Sequence, residues 1–220
     1  MTNSASIQKH IQAVEQANSD RSLLEAVQAL AALHSEEAIP TLIAVLGYNN
    51  PGAASCAVEG LISLGEVAVM PIVENLDDYN YGARAYSIRA LAAIASPLAL
   101  DVLVTAAAND FAPSVRRAAS KGLGKLNWHQ IKTPTEAQNA QTLALNTLLQ
   151  NSQDSDWAIR YAAVVGCELL AASVTDTSDQ IQNLFEQMLS SETETAVSLR
   201  VLLAQQRLQD TKAIAATANC

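Results

Sequence analysis

The chain has 220 residues, of which 50% are hydrophobic, only 16% charged and 4% aromatic; 40 are alanine, and the net charge is −9. Ordinary soluble domains carry about 25% charged residues, and Ala/Leu dominance with short Val/Ile runs predicts helices packed through small side chains, which excludes an all-β chain, a Gly/Pro linker and a collagen-like repeat. The charge is uneven: seven basic residues and two acids between Arg84 and Lys132 net +5, the rest nets −14, and so acidic a body speaks against nucleic-acid binding.

From the N-terminus, Met1–His10 lacks the basic-then-apolar pattern of a secretory leader, and no run in the chain reaches the roughly 18 consecutive apolar residues of a membrane helix. Ser4–Asn18 and Ser22–His34 read as two helices, with Ser22-Leu-Leu-Glu25 fitting a capping box. Three related units follow, Glu36–Gly65, Glu66–Ala95 and Ser96–Leu126. Pro40 and Pro71 are matched in them, as are Gly60-Leu61, Ala90-Leu91 and Gly122-Leu123. Each unit splits into two helices: Ile39, Leu42, Ile43 and Leu46 have helical spacing in one first helix, as do Val69, Ile72, Val73 and Leu76 in the next. Asn50-Pro51 and Asn80-Tyr81 read as N-caps of second helices, and Pro113 opens the third. Repeats of this length built from helix pairs predict a solenoid. Asn127–Thr135 breaks the rhythm as an elbow; Ala137–Gln150, Trp157–Ala172, Ile181–Leu189 and Thr195–Leu208 read as further helices, with Lys212–Cys220 frayed. The expected fold is all-α, a right-handed α-solenoid of HEAT-like helix pairs forming one domain over 1–220, with N-terminal cap helices at 1–35, three repeats at 36–126 and irregular repeats with a cap at 127–220.

Conventional catalytic and phosphate-binding motifs are absent. Cys56, Cys167 and Cys220 are odd in number and scattered, which suits reduced thiols and no metal site. Cys56, among small residues, reads as a buried core thiol, and His10 and His34 read as surface residues. Arg84, Arg116 and Arg160 share one register near the start of second helices, where HEAT repeats hold a structural arginine; Asp78 and Asp110 are natural partners. Arg89 and Lys121 share a later register, occupied by Glu59 in the first repeat. With Arg117 they are candidates for an anionic ligand or an acidic partner surface, the alternative being salt-bridge ladders between helices. Tyr48-Asn49-Asn50, Tyr79-Asn80-Tyr81 and Asn109-Asp110-Phe111 occupy equivalent turns. The asparagines read as caps, the tyrosines as contacts for a flat conjugated ligand or a protein.

Three segments carry a family resemblance: Glu36–Ala53 (EEAIPTLIAVLGYNNPGA), Tyr79–Leu91 (YNYGARAYSIRAL) and Asp110–Trp128 (DFAPSVRRAASKGLGKLNW). They resemble the E/F-type phycobilin lyases, above all the smaller F-type members, over about Glu36–His129. The resemblance implies action in the cyanobacterial cytosol or plastid stroma, as a heterodimer with a larger E-type subunit. Such a pair delivers an open-chain tetrapyrrole, phycocyanobilin or a related bilin, to a cysteine of a phycobiliprotein α subunit, forming a thioether. The bilin is a substrate and no cofactor is implied. On this resemblance the bilin-contact candidates are Tyr48, Asp78, Tyr79, Tyr81, Arg89, Asp110, Arg117, Lys121, Trp128 and His129. Arginines suit propionates, tyrosines suit pyrrole faces, and carboxylates suit pyrrole N–H groups. Isomerising members carry an adjacent His-Cys pair after the third repeat; Asn127-Trp128-His129-Gln130 lacks the cysteine, which implies attachment without isomerisation. The E-type contact is expected on the N-terminal helices or first two repeats. The alternative function is a non-catalytic scaffold or chaperone for phycobiliprotein or other proteins.

Overall fold

The computed structural model describes residues Thr2–Asp77 and Tyr79–Ala218; Asp78 and Cys220, both singled out by sequence, lie outside the described residues. These residues form helices and turns, with no strand among them. The chain divides into two compact units, Met1–Ala99 and Leu100–Cys220.

The first unit contains α1 (Thr2–Glu15), α2 (Asp20–Ala31), α3 (Ile39–Leu46), α4 (Pro51–Leu64), α5 (Val69–Glu74) and α6 (Tyr81–Ile94). The second helices α2, α4 and α6 pack in succession, with α3 and α5 layered beside them. Asparagine chemistry sets the starts. Asn50 Oδ1 accepts from the Ala53 N–H at 3.0 Å, and its Nδ2 donates to the Asp20 carbonyl at 3.1 Å. Asn80 repeats the device, accepting from Ala83 N–H at 3.1 Å and donating to the Gly47 carbonyl at 3.3 Å. Each cap therefore satisfies an orphan donor of its own helix and ties that helix to the preceding repeat. The cap of α2 differs from expectation. Ser19 is the N-cap, sharing reciprocal bonds with Ser22, while Glu25 pairs with Arg21 at 2.9 Å on the surface. Two serines three apart can each cap, and the chain's entry path selects the earlier one.

Apolar positions one helical face apart fill the core: Leu30, Leu61 and Leu91 are fully buried at the same step past their caps. One residue before Leu61, a side chain on Gly60 would place Cβ 2.8 Å from Ala31 Cβ, so α2 and α4 meet at backbone distance. Each second helix is followed by a left-handed residue at the same step: His34 (φ 47), Gly65 (φ 69) and Ala95 (φ 60). Only the glycine adopts this conformation without steric cost. The stretch Pro51–Glu74 is long and apolar enough, at mean hydropathy 1.7, to cross a membrane by composition. It is instead α4 and α5 separated by a 3-10 turn at Gly65–Ala68, and Ala53, Ala57, Leu61, Val69 and Ile72 are buried in the unit.

The second unit contains α7 (Leu100–Asn109), α8 (Pro113–Leu123), α9 (Pro134–Asn151), α10 (Trp157–Ser173), α11 (Ser178–Ser191) and α12 (Thr195–Ala218). Pro113 and Pro134 sit in the first turns of α8 and α9, where the missing N–H costs nothing. The expected elbow is present as a 3-10 turn at Trp128–Gln130 before the Thr133 cap. Second helices α8, α10 and α12 pack in sequence, with α7, α9 and α11 beside them. The α8–α10 contact is a glycine crossing: a Cβ on either Gly124 or Gly166 would collide with the other helix's backbone. Leu103, Leu123, Leu148, Ile159, Leu170 and Phe185 form the core. The final helix continues to Ala218, past the point where the apolar pattern predicts fraying.

Candidate functional site

The turns that precede second helices display aromatic rings. In the first unit Tyr48 and Tyr81 are exposed, and Tyr79 is 99% exposed. The Asn80–Gly47 hydrogen bond joins the two turns, so Tyr48, next to Gly47, and Tyr79 and Tyr81, flanking Asn80, belong to one tied pair of loops. Asp77 rigidifies the second loop by accepting from the backbone N–H groups of Tyr79 and Asn80 at 2.8 and 2.9 Å; these bonds, the Asn80 one first, hold its carboxyl below the usual range. In the second unit Phe111 and Trp157 are exposed at equivalent turns. Asp110 is half-buried there and accepts from the Ala112 N–H at 2.8 Å.

The arginines divide by burial. Arg84 is buried and donates to the Asp77 carbonyl at 3.0 Å. Arg116 donates to the Ala107 carbonyl at 3.1 Å and pairs with Asp154 at 2.6 Å, reaching forward to the loop before α10. Arg160 forms a fork on Glu192, both contacts at 2.7 Å, and donates to the Asp154 carbonyl at 2.8 Å. That hydrogen bonding lowers the Glu192 carboxyl below its usual value and raises the guanidinium of Arg160. All three tie an inter-helix turn to its surroundings. Arg89 and Lys121 are exposed. Arg89 lies over the Tyr86 ring, 5.4 Å from its centroid, on the surface of α6. Arg117 and Lys121, four residues apart, share one face of α8, Arg117 being half-buried.

Two candidates from the elbow part company. His129 is exposed, whereas Trp128 is only 5% exposed and its indole N–H is buried without a partner. Its ring belongs to the core of the turn and offers no face for stacking. Cys56 also departs from expectation. It is half-buried, not a core thiol, and lines a groove of about 450 Å³ between α2 and α4 with Gln28, His34, Glu59 and Ser63. His34 Nδ1 lies 3.0 Å from Ser63 Oγ there. The true core thiol is Cys167, which burial pushes up to about 12.

Sequence reading missed one cluster. Glu168 on α10 is buried against the buried Arg200 of α12, and Arg207 reaches its other oxygen at 3.4 Å. Arg200 also lies 5.9 Å from the Tyr161 ring centroid. The signal was a lone acid within the apolar run Val164–Leu170, which demands a buried cation.

Stacked helix pairs with internal arginines and surface cations define a HEAT-like repeat protein. The family model for HEAT repeats matches residues 69–145, and that for the PBS lyase HEAT-like repeat matches 23–48. "Phycocyanobilin lyase subunit beta" of Nostoc sp. strain PCC 7120 is 56% identical over 195 residues, 89% of this chain and 96% of the relative. "Phycocyanin alpha phycocyanobilin lyase CpcF" of Synechocystis sp. strain PCC 6803 is 45% identical over 196 residues, 89% and 91% of the two chains. A chain in the solved complex of CpcE and CpcF of phycocyanin lyase from Nostoc sp. PCC7120 is 58% identical, with TM-score 0.76 over 78% of this chain and 99% of that one. The chain belongs to the E/F-type phycobilin lyase family.

Proposed function

We propose that this chain is the smaller subunit of a two-subunit phycobilin lyase that attaches phycocyanobilin to a cysteine of a phycobiliprotein α subunit, in the cyanobacterial cytosol or plastid stroma. The observation that carries the reading is identity above half across 96% of a relative named as such a lyase subunit. In the reaction the acceptor thiol adds across the ethylidene double bond of ring A. Sulfur bonds the exocyclic carbon, the proton ends on the adjoining ring carbon, and nothing leaves. The acceptor brings the nucleophile, so this chain needs no triad; it contributes position and shielding.

The side chains suit that task unit by unit. Arg89 in the first and Arg117 with Lys121 in the second are cations outside the structural arginine register, suited to propionates. Tyr48, Tyr79 and Tyr81 offer apolar faces with polar rims. Asp110, which accepts from the Ala112 N–H, is a carboxylate of the kind that accepts a pyrrole N–H. Cys56 and His129 are 73 positions apart, and neither has the other beside it in sequence, which supports attachment without isomerisation.

The test mixes the co-expressed subunit pair with phycocyanobilin and an acceptor α subunit. A pigment band that stays with the acceptor under denaturing conditions is expected. Pigment that never becomes covalent, with an unchanged bilin spectrum on adding the pair, would replace this reading with that of a scaffold.

A further inference from the structure

Two guanidiniums converge on one carboxylate in the second unit. Arg200 of α12 donates through Nη2 to Oε2 of Glu168 on α10, and Arg207, two turns further along α12, donates to Oε1 at 3.4 Å. The side chains of Arg200 and Glu168 are 5% and 10% exposed and that of Arg207 is 58% exposed, so the cluster runs from the α10–α12 interface out to the surface. It differs from the structural arginines in its charge balance. Arg116 and Arg160 each have an acid of their own, Asp154 and Glu192, and a turn carbonyl besides. Here two cations share one acid, and Nη1 of Arg200 is buried with no acceptor among the described residues. Burying a guanidinium is offset only when its remaining protons are bonded, and an unmet buried donor calls for an acceptor. The excess positive charge specifies an anionic one, and the planar fork of a guanidinium matches a carboxylate.

The layer that holds the cluster is itself basic. The helices α8, α10 and α12 carry seven lysines and arginines and two acids, a net +5, while α7, α9 and α11 beside them carry four acids and no lysine or arginine, a net −4. An anion is therefore drawn to the second-helix layer of this unit although the whole chain is at −9. Within that layer, steps can be counted from the residue whose carbonyl accepts the first i+4 bond, Ala112, Asp156 and Glu194. Arg117 and Tyr161 then stand fifth and Arg200 sixth, on helices that pack α8 to α10 and α10 to α12. The half-buried Tyr161 ring lies 5.9 Å from the Arg200 guanidinium and gives the cluster an aromatic flank.

We propose that Arg200 and Arg207 form a carboxylate-binding subsite that takes a propionate of the bilin. Arg207, on the surface, meets the incoming carboxylate first, and Nη1 of Arg200 is the donor it satisfies behind. Glu168 stays in place as the fixed counter-charge that holds both guanidiniums on α10. The proposal rests on the lyase reading above and gives the pigment an anchor on the last two second helices, separate from Arg89, Arg117 and Lys121. Unlike those cations, Arg200 is buried and already held in one orientation, so binding a carboxylate there costs little side-chain freedom.

The experiment titrates the co-expressed subunit pair with phycocyanobilin and with its dimethyl ester, in which both propionates are neutral, and reads binding by absorbance. The wild-type pair should prefer the diacid by about 10-fold or more. Arg207→Gln keeps the buried Arg200–Glu168 pair and should erase most of that preference, leaving ester binding and the melting curve unchanged. Arg207→Lys, which keeps the charge, should restore much of it, and Arg21→Gln, a surface cation of the first unit paired with Glu25, should alter nothing. A wild-type pair that binds acid and ester alike, or a preference that Arg207→Gln leaves intact, would overturn the subsite; the lyase reading would stand as long as the pair still makes pigment covalent on the acceptor. Unchanged binding of both pigments with transfer lost in Arg207→Gln would assign the carboxylate to the acceptor protein and overturn the propionate. A wild-type pair that never attaches pigment would overturn the lyase reading, while the comparison of acid and ester binding would still decide the subsite.

Discussion

Replacing Gly166 with alanine sets two effects of opposite sign against each other. In a helix interior the change is favourable by about 1 kcal/mol on propensity alone. Here the new Cβ would stand 2.6 Å from Leu148 Cδ2 and closer still to the Ser120 carbonyl oxygen, where under 3.0 Å something must shift. The leucine can swing away, but the carbonyl is backbone of α8, so α8 and α10 must part by about half an ångström or more along a close-packed face. Overpacking of this kind costs about 1–3 kcal/mol, and a backbone obstacle puts it at the upper end. The net expectation is a loss of about 2 kcal/mol, or about 4–8 °C in melting temperature at the roughly 2–4 °C per kcal/mol of a chain this size. Thermal and urea unfolding followed by circular dichroism read it directly. Gly52→Ala is the control: its Cβ would meet Asn50 Oδ1 at 3.4 Å and Leu24 methyls at 3.6 and 3.8 Å, ordinary contacts, so it should melt at or slightly above wild type. A Gly166→Ala protein as stable as the Gly52→Ala one would refute the view that the glycine crossing sets the repeat spacing.

Arg89→Ala combined with Lys121→Ala should cut chromophore transfer with an unchanged melting curve. Arg160→Ala should do the reverse, losing the Glu192 fork and a turn carbonyl at a cost of about 3 kcal/mol; equal melting losses in both would erase the division between structural and functional cations. Because the folded-state carboxyl of Glu192 is lowered, its contribution is fully present above the ordinary carboxylate range and is lost as pH falls through the lowered value. Glu192→Gln should therefore flatten the fall of melting temperature between about pH 5 and 3, and a profile parallel to wild type would contradict it. Cys56→Ser and His129→Ala should leave the absorption of the attached pigment at that of bound phycocyanobilin; a product with shortened conjugation in the parent, lost in either variant, would reverse the expectation of simple attachment.

The helix pairs were legible because their punctuation is local. Asn50-Pro51, Asn80 and Pro113 mark helix starts through chemistry within a few residues, and Leu61 and Leu91 repeat at one step from those marks. The structural arginines were legible as a register, since a cation at the fourth helical position can reach the turn just crossed. Illegible features depend on which face meets a neighbour. Cys56 and Ala57 are adjacent small residues, yet one lines a groove and the other is core. Trp128 stands between the polar residues Asn127 and His129, which give no sign of its burial. Glu168 and Arg200, 32 positions apart, meet only because α12 packs on α10. Tyr79 and Tyr81 were singled out, but Phe111 and Trp157, exposed at equivalent turns, were not among the site candidates: Phe111 shares its turn with Asn109 and Asp110 but carries no hydroxyl, and Trp157 has Asp156 and Ala158 beside it and no amide.

The burial of Cys167 bears on a hazard any courier of a thiol-seeking pigment faces: becoming its own recipient. A thiol that burial pushes up to about 12 is held in its unreactive neutral form at neutral pH, and with no exposed surface it cannot meet an electrophile until the second unit opens. Cys56, open to its groove, has no such protection. Among the described cysteines, self-capture of cargo is thus confined to one place in the first unit. An adduct found on Cys167 after incubation with an electrophile would report local unfolding of the second unit, making that thiol an internal clock for how often the α10–α12 stack breathes.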